Sequence, residues 1–505
     1  MNSMWKIILG LGLTIGLFVI VPAHAAIIYV DKDNACPGSG TSASPYCSIQ
    51  NAFDLVNAGD TIRIRDAASP YDANSVLTRS GSNSNPITIE PDTGNAPTIR
   101  YTGNGAQAAA IELRDVSYVT VQNLTFDGAG VHTSAYGLYV HATKNDMNGI
   151  QILNNTIKNW GGNTSQASFG TTRGPLAIDG GYCPSPCSPE RQPRGTIVRG
   201  NTFDSNRQVN IFILHASDTL IENNTITNTK CGKDNDTGRS TIGIKLDDAR
   251  DNGSSGTIIR GNTIHDFEPT NSCGVGHTSG AYDSWPGIWC DVGPWNGRIE
   301  NNTIYNINNG LLSDFATYES QGIFIEAGCS GWVVRNNVVY NIGDAGVRQR
   351  MARSGQTANQ YLNNTIYNVG GNGFEGGNTG SGTGAMVIKN NIVYNAGNAQ
   401  IHFDTADAGL HTINYNLYFD NSGGNKVGQW GGGTLNFASW KSACGCDANS
   451  VNSNPLLVNP PSDFHLQSGS PARAAGENGT YMGAYSYNSS TQAPQAPGNL
   501  NVVLP

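Results

Sequence analysis

The sequence predicts an all-β solenoid, a chain wound into stacked coils of short strands. Three observations predict it. A short Asn-centred string recurs along the chain, apolar alternation of period two flanks each copy, and a further strand of fixed pattern lies between successive copies.

The string is NNTI at 154–157, 223–226, 301–304 and 363–366, with variants GNTF at 200–203, GNTI at 261–264, NNVV at 336–339 and NNIV at 390–393. QNLTF at 122–126 opens the series and YNLYF at 415–419 closes it. Aligned, they give one column: Asn123, Asn155, Asn201, Asn224, Asn262, Asn302, Asn337, Asn364, Asn391 and Asn416. Successive spacings are 32, 46, 23, 38, 40, 35, 27, 27 and 25, a fixed unit carrying insertions of varied length. Before each Asn stands an alternation such as VTVQ, IQIL or WVVR, and after it Thr-Ile, Thr-Phe or Val-Val. These β-branched runs read as strands. Asn tolerates a left-handed backbone and bonds through its amide, so stacked coils would join their Asn side chains into a ladder. Read instead as glycosylation sequons, the same strings would place glycans where the coils stack.

Three strands per coil with an Asn ladder at one turn resembles the single-stranded right-handed parallel β-helix of the pectin-lyase-like superfamily. The resemblance covers roughly residues 27–480.

Residues 1–25 read as a signal peptide: Lys6, an apolar run over 7–21, then Ala23-His24-Ala25. Residues 26–110 hold an N-terminal cap and the first coils, with an amphipathic helix near 48–57 to cover strand edges at the open end. Coils fill 111–430, a C-terminal cap 431–487, and a polar, Pro-rich tail 488–505. Capped ends favour a monomer. Charged residues are only 13% and net charge is −9, which disfavours nucleic acid and anionic membranes as partners. Ten Cys in an exported chain favour disulfides, with Cys36–Cys47, Cys183–Cys187 and Cys231–Cys273 as candidate pairs.

The strand between Asn copies is usually opened by Gly. Its copies are GLYVH (137–141), PLAID (175–179), NIFIL (210–214), GIKLD (243–247), GIWCD (287–291), GIFIE (322–326), GVRQR (346–350), GFEGG (373–377) and QIHFD (400–404). Positions two and four are mostly aliphatic and face the core, so positions three and five face outward. The fifth positions then stack Asp247, Asp291, Glu326 and Arg350, and the third positions stack Lys245, Trp289, Phe324 and Arg348, on coils about 4.8 Å apart. A row of like charges destabilises a sheet unless something else requires it, and outward aromatics beside it point to a cleft. The long insertions at about 227–242, 265–286 and 305–321 would wall this cleft with His277, Tyr282 and Trp285, and His402 and Asp404 extend it.

The chemistry expected there is cleavage of a polysaccharide or oligosaccharide. In one reading Asp291 and Glu326 are the paired carboxylates of a glycoside hydrolase, and adjacent coils give the separation of a retaining enzyme. GIWCD and GIFIE resemble the site strands of β-helix β-xylosidases, which implies Asp291 as nucleophile and Glu326 as acid/base. Arg350, one coil from Glu326, works against the raised pKa an acid needs, while Asp291 works for it. In a second reading Asp247, Asp248, Asp291 and Glu326 hold Ca²⁺ against a uronate carboxylate, and Lys245, Arg348 or Arg350 is the base of a lyase or epimerase. No cofactor enters the first reading. A third reading is a non-catalytic carbohydrate-binding β-helix that uses Trp289, Phe324 and Trp285.

Overall fold

A computed structural model of the chain describes residues 25–101, 108–130, 135–161, 174–180, 191–230, 232–233, 239–247, 255–267, 283–307, 318–326, 328–350, 357–377, 384–403, 410–423 and 426–487. Residues 1–24 of the signal-peptide segment, the tail, Cys183, Cys187, Cys231, Cys273, Asp248, His277, Tyr282 and Asp404 lie outside them.

Each coil contributes one strand to each of three large sheets, and successive coils pair in parallel; the antiparallel exceptions, both in the second sheet, are Gly428–Trp430 with Thr434–Leu435 and Gly232–Lys233 with Arg239–Asp247. The sheets hold 13, 14 and 13 strands among the described residues. This is the expected right-handed parallel β-helix. Ile, Val, Leu and Phe from the inner faces fill one continuous core along the axis. Alternation makes this possible: Ile62 and Ile64 are buried in Thr61–Ile64, and Ile87 and Ile89 in Ile87–Pro91, with the residues between them partly exposed.

The Asn ladder forms, and the two Asn of each NN pair divide the work. The first takes the left-handed backbone: Asn154, Asn223, Asn301, Asn336, Asn363 and Asn390 all have φ between 54° and 59°. Where that position is Gly, as at Gly200 and Gly261, φ is 68° and 63°. The second Asn is buried and donates its amide to the next one. Asn262 Nδ2 lies 3.0 Å from Asn302 Oδ1, which lies one step before the same bond from Asn302 to Asn337. The chain of bonds runs from Asn155 to Asn416, and each Asn also bonds a backbone carbonyl of the preceding coil. Asn123 is not part of it. Thr120 pairs with Gln151, which puts Asn123 opposite Asn154 and Leu124 opposite Asn155. Asn123 takes the left-handed role, with φ 59°, and Leu124 N donates to Asn155 Oδ1 at 3.0 Å.

The ends and one flank are closed. The helix Ile49–Leu55, capped by Ser48, buries Ile49, Ala52 and Phe53 over the first coils. At the other end the helix Phe437–Cys444 buries Trp440, whose indole donates to buried Asp447 at 2.7 Å. The chain then runs back along the third sheet. Leu457, Phe464, Leu466, Met482 and Ala484 pack on Val338, Ile392 and Leu417 of that sheet's outer face. The last expected cap is therefore also a strap that covers the coils behind it.

Cys36–Cys47 is bonded as expected, and Cys290–Cys329 and Cys444–Cys446 form as well. Among the described residues no helix is long and apolar enough to cross a membrane.

Replacing Asn302 by Ala leaves the amide of Asn262 and its backbone N–H without their shared acceptor in the core. The expected loss is about 3 kcal/mol of stability, from the buried Asn262 N–H left unpaired and the bonds that Asn302 itself donates to Ile259 O and Asn337. Chemical denaturation of this variant against an exposed Asn449→Ala control measures it.

Candidate functional site

The second sheet carries the column of outward positions, and its register is the one the sequence implies. Asp247 pairs with Asp291 and Lys245 with Trp289. Trp289 pairs with Phe324, and Cys290 with Ile325, which brings Glu326 beside Asp291. Phe324 pairs with Arg348, Arg348 with Glu375, and Glu375 with His402. Residues separated by 24 to 44 positions in sequence thus become cross-strand neighbours, about 4.8 Å apart. Gly287, Gly322 and Gly346 lie inside successive strands at one register position, where nothing larger fits. A Cβ on Gly287 would meet Ile304 of the third sheet, one on Gly322 would meet Val339, and one on Gly346 would meet Ile366.

The carboxylate row contains its own counter-charge. Lys245 is buried at 3% exposure, and its ammonium lies 3.0 Å from Asp291 Oδ2 and 3.8 Å from Asp247 Oδ2. The same ammonium sits 4.2 Å from the centre of the Trp289 ring, in a cation–π contact. Trp289 in turn donates its indole N–H to Glu326 Oε2 at 3.1 Å. Asp291 thus meets a full positive charge, while one of the groups that Glu326 meets is a neutral donor. Cys290, the residue before Asp291, is bonded to Cys329, three residues past Glu326, so a covalent tie joins the two strands at the site.

Among the described residues, Trp289, Phe324 and Trp285 do not form the expected aromatic walls. Trp289 and Phe324 do leave the main core, but they are only 6% and 2% exposed. They stack at 5.7 Å inside a second apolar cluster on the outer side of the sheet, with Phe212, Val209 and Tyr139. Rings so buried have no face to offer a sugar. Trp285 is 2% exposed and belongs to the main core. The sequence shows that a side chain leaves the core face, but not that a second cluster waits on the other side.

Arg348 and Arg350 are engaged beyond Glu326. Arg348 donates to Asp344 at 2.7 Å and to Glu375 at 2.8 Å, and Arg350 lies 3.3 Å from Glu375. The charge expected to act on Glu326 is thus shared with a carboxylate on its far side. Asn372 completes the network, bonding Glu375 at 3.0 Å and the Nδ1 of His402 at 3.1 Å. Burial raises the pKa of Glu375, but the charge of Arg348, hydrogen bonds from Arg348 and Asn372, and the charge of Arg350 hold it below its ordinary 4.5. Glu375, Asp344 and Asn372 are residues that sequence reasoning passed over. The third position of GFEGG was the available signal for Glu375.

Calcium was expected only under the elimination reading. The described donors do not make a cage for it. Ca²⁺ needs six to eight oxygens around it, whereas a buried ammonium lies among these carboxylates. Among the described residues no group of three or more His, Cys, Asp or Glu is placed to hold a metal.

Residues 28–173 match a family model described as the Pel9A-like right-handed β-helix region. That match ends before the strands that carry Asp247, Asp291 and Glu326. Among solved structures, XylC in complex with xylose is 14% identical and covers 86% of this chain and 87% of its own, with a TM-score of 0.52. The lacto-N-biosidase of Eubacterium ramulus, from glycoside hydrolase family 136, is 14% identical and covers 85% of this chain and 67% of its own, with a TM-score of 0.50. Pectate lyase Pel9A is 15% identical, with coverage of 92% and 96% and a TM-score of 0.42. None of the curated proteins matches the chain in sequence. At this identity XylC and the lacto-N-biosidase show the fold alone, a parallel β-helix. By their names these neighbours include both glycosidase and lyase.

A carboxyl group whose pKa is lowered on folding stabilises the protein above its unfolded value, and that contribution is lost as pH falls through the folded value. For Glu375 the contribution is complete above pH 4.5 and disappears on the acid side. Glu375→Gln should cost about 3 kcal/mol at neutral pH by leaving Arg348 short of a partner. It should also flatten the acid-side fall of Tm. Thermal denaturation of both proteins across the acidic range reads the two slopes.

Proposed function

We propose that the protein is an exported retaining glycoside hydrolase, with Asp291 as nucleophile and Glu326 as general acid and base. The observation that carries the proposal is the pair of contacts made by two carboxylates on adjacent strands: Asp291 on the Lys245 ammonium and Glu326 on the Trp289 indole. A strand spacing of about 4.8 Å suits the roughly 5 Å between the two carboxyl groups of retaining enzymes and is too short for a water between them. Acid and base roles divide where two titratable groups stand in different environments.

Asp291, charge-paired, attacks the anomeric carbon as the glycosidic C–O bond breaks. Glu326, in its protonated form, gives its proton to the departing oxygen. The glycosyl–Asp291 ester is then opened by water, whose proton returns to Glu326, and the sugar leaves with its starting configuration. Lys245 orients Asp291, and Trp289 orients Glu326. Asp247, which shares the ammonium, is placed to accept substrate hydroxyls. Arg348 and Arg350 hold Glu375 and the coil behind Glu326.

The Lys245 ammonium weighs against the calcium-dependent reading, and buried Trp289 and Phe324 weigh against a binding surface built on aromatics. Export is supported by the leader-like N-terminus and by three disulfides among the described residues, which suit an oxidising compartment. Because XylC was solved with xylose, xylose-based glycosides are the first substrates to try.

Asp291→Asn and Glu326→Gln should each lower kcat at least a thousandfold on whichever glycoside the wild type cuts, while wild-type activity survives EDTA. Activity lost on chelation and regained with Ca²⁺, together with the ultraviolet absorbance of unsaturated uronates, would instead establish elimination.

A further inference from the structure

The outward column does not stop at Asp247. The register continues without a break from Asp247 to Leu214, Asp179, His141 and Arg114. Three of these four are polar, and each is held by a neighbour rather than left to move.

Glu112 is 4% exposed on the outer side of the sheet. Its carboxylate takes the Arg114 Nε at 2.7 Å and the His141 Nδ1 at 3.0 Å. Burial raises the pKa of Glu112, but hydrogen bonds from His141 and Arg114 hold it below its ordinary value. An ionised carboxylate can only accept, so Nδ1 of His141 carries a proton and its Nε2 is left to face outward. The His141 ring stacks on Tyr139 at 4.4 Å, and Tyr139 stacks on Tyr136 at 4.3 Å. Tyr139 itself is 1% exposed and donates its hydroxyl to Asp179 Oδ2 at 2.9 Å. Burying Glu112 and Tyr139 this way is costly for a plain surface. What it yields is two planar polar groups, the imidazole of His141 and the carboxylate of Asp179, in fixed orientations. His141 lies four strand steps from Asp291, about 19 Å along the axis. Leu214, partly buried beside Phe212, gives the stretch between them an apolar floor.

We infer that His141 and Asp179 form a distal subsite for a neutral sugar unit of an extended glycan lying along the helix axis. This rests on the hydrolase reading for its direction, since the reducing or non-reducing side is counted from Asp291, but not for its existence. Planar carboxylate and imidazole groups are matched to vicinal hydroxyls, which both donate and accept. Among the described residues the Arg114 guanidinium is taken up by Glu112, so the Asp179 carboxylate would repel a uronate. An extended pyranose chain advances by about one coil per unit, so a glycan bridging Asp291 and His141 spans several sugars. The substrate is therefore an oligomer or polymer rather than a disaccharide.

The test uses the full-length protein and a His141→Ala/Asp179→Ala double variant, with Asp179→Asn as the variant that keeps the Tyr139 contact. In affinity electrophoresis through gels holding xylan, mixed-linkage glucan, galactomannan or arabinan, the wild type should be retarded by one polymer. The double variant should bind that polymer about tenfold more weakly, as expected for two lost hydrogen bonds. This arm needs no catalysis, so it decides the subsite even if Asp291 and Glu326 prove not to cleave. Where the wild type does cleave, kcat/KM on a long oligomer should fall about tenfold further in the double variant than on a short aryl glycoside. Retardation by none of the polymers overturns the subsite. So does equal binding by wild type and variants, or an equal loss on short and long substrates.

Discussion

One interaction sets the frame for everything else: the hydrogen bond that each buried ladder Asn donates to the Asn one coil on, at 3.0 or 3.1 Å from Asn155 to Asn416. Insertions of varied length can follow any strand, yet the ladder returns every coil to the same register. Without that return, a one-residue slip would turn Asp291 into the core and a neighbouring aliphatic outward. The left-handed residue before each ladder Asn serves the same end, because it turns the chain sharply between two sheets. Asn or Gly fills that position before every ladder Asn except Asn416, where Tyr415 takes it with φ 58°, because a side chain branching at Cβ strains there.

The site makes use of this register in a way that ordinary sheets avoid. Like charges opposite one another on adjacent strands repel, and here Asp247 stands opposite Asp291. The Lys245 ammonium between them offsets the repulsion, and the Trp289 ring below it supports a cation that is itself almost fully buried. A buried pair of this kind adds little stability over an apolar alternative but fixes geometry. The same economy recurs at both ends of the column, with Arg348 and Glu375 on one side and Arg114, His141 and Glu112 on the other. Charged side chains on this face are positioned by other charged side chains, which is a costly way to build a surface and a useful way to build a binding groove.

The fold was legible because its determinants are local and repeated. Period-two alternation and the Asn strings place strands, turns and ladder, and the strings then bring Asp247, Asp291 and Glu326 together across long gaps. Asn123 shows the limit, since QNLTF has one Asn where NNTI has two, and string matching alone cannot say which of the two duties it performs. Trp289 and Phe324 show another. Alternation reports the side of a sheet, whereas exposure depends on what packs on that side. The Lys245–Asp291 and Trp289–Glu326 contacts, the Cys290–Cys329 bond and the part played by Glu375 were not legible, because each depends on side-chain conformations or loop paths between coils. Glu112 went unnoticed for a simpler reason. Its strand precedes the first clear copy of the repeating string.

The central claim is that two carboxylates one strand apart act by double displacement. Proton NMR of the first product released from a cleavable glycoside tests it most directly. The account predicts that the newly formed hemiacetal has the same anomeric configuration as the bond that was cut, before mutarotation mixes the two. An inverted first product, or an unsaturated one, would contradict it.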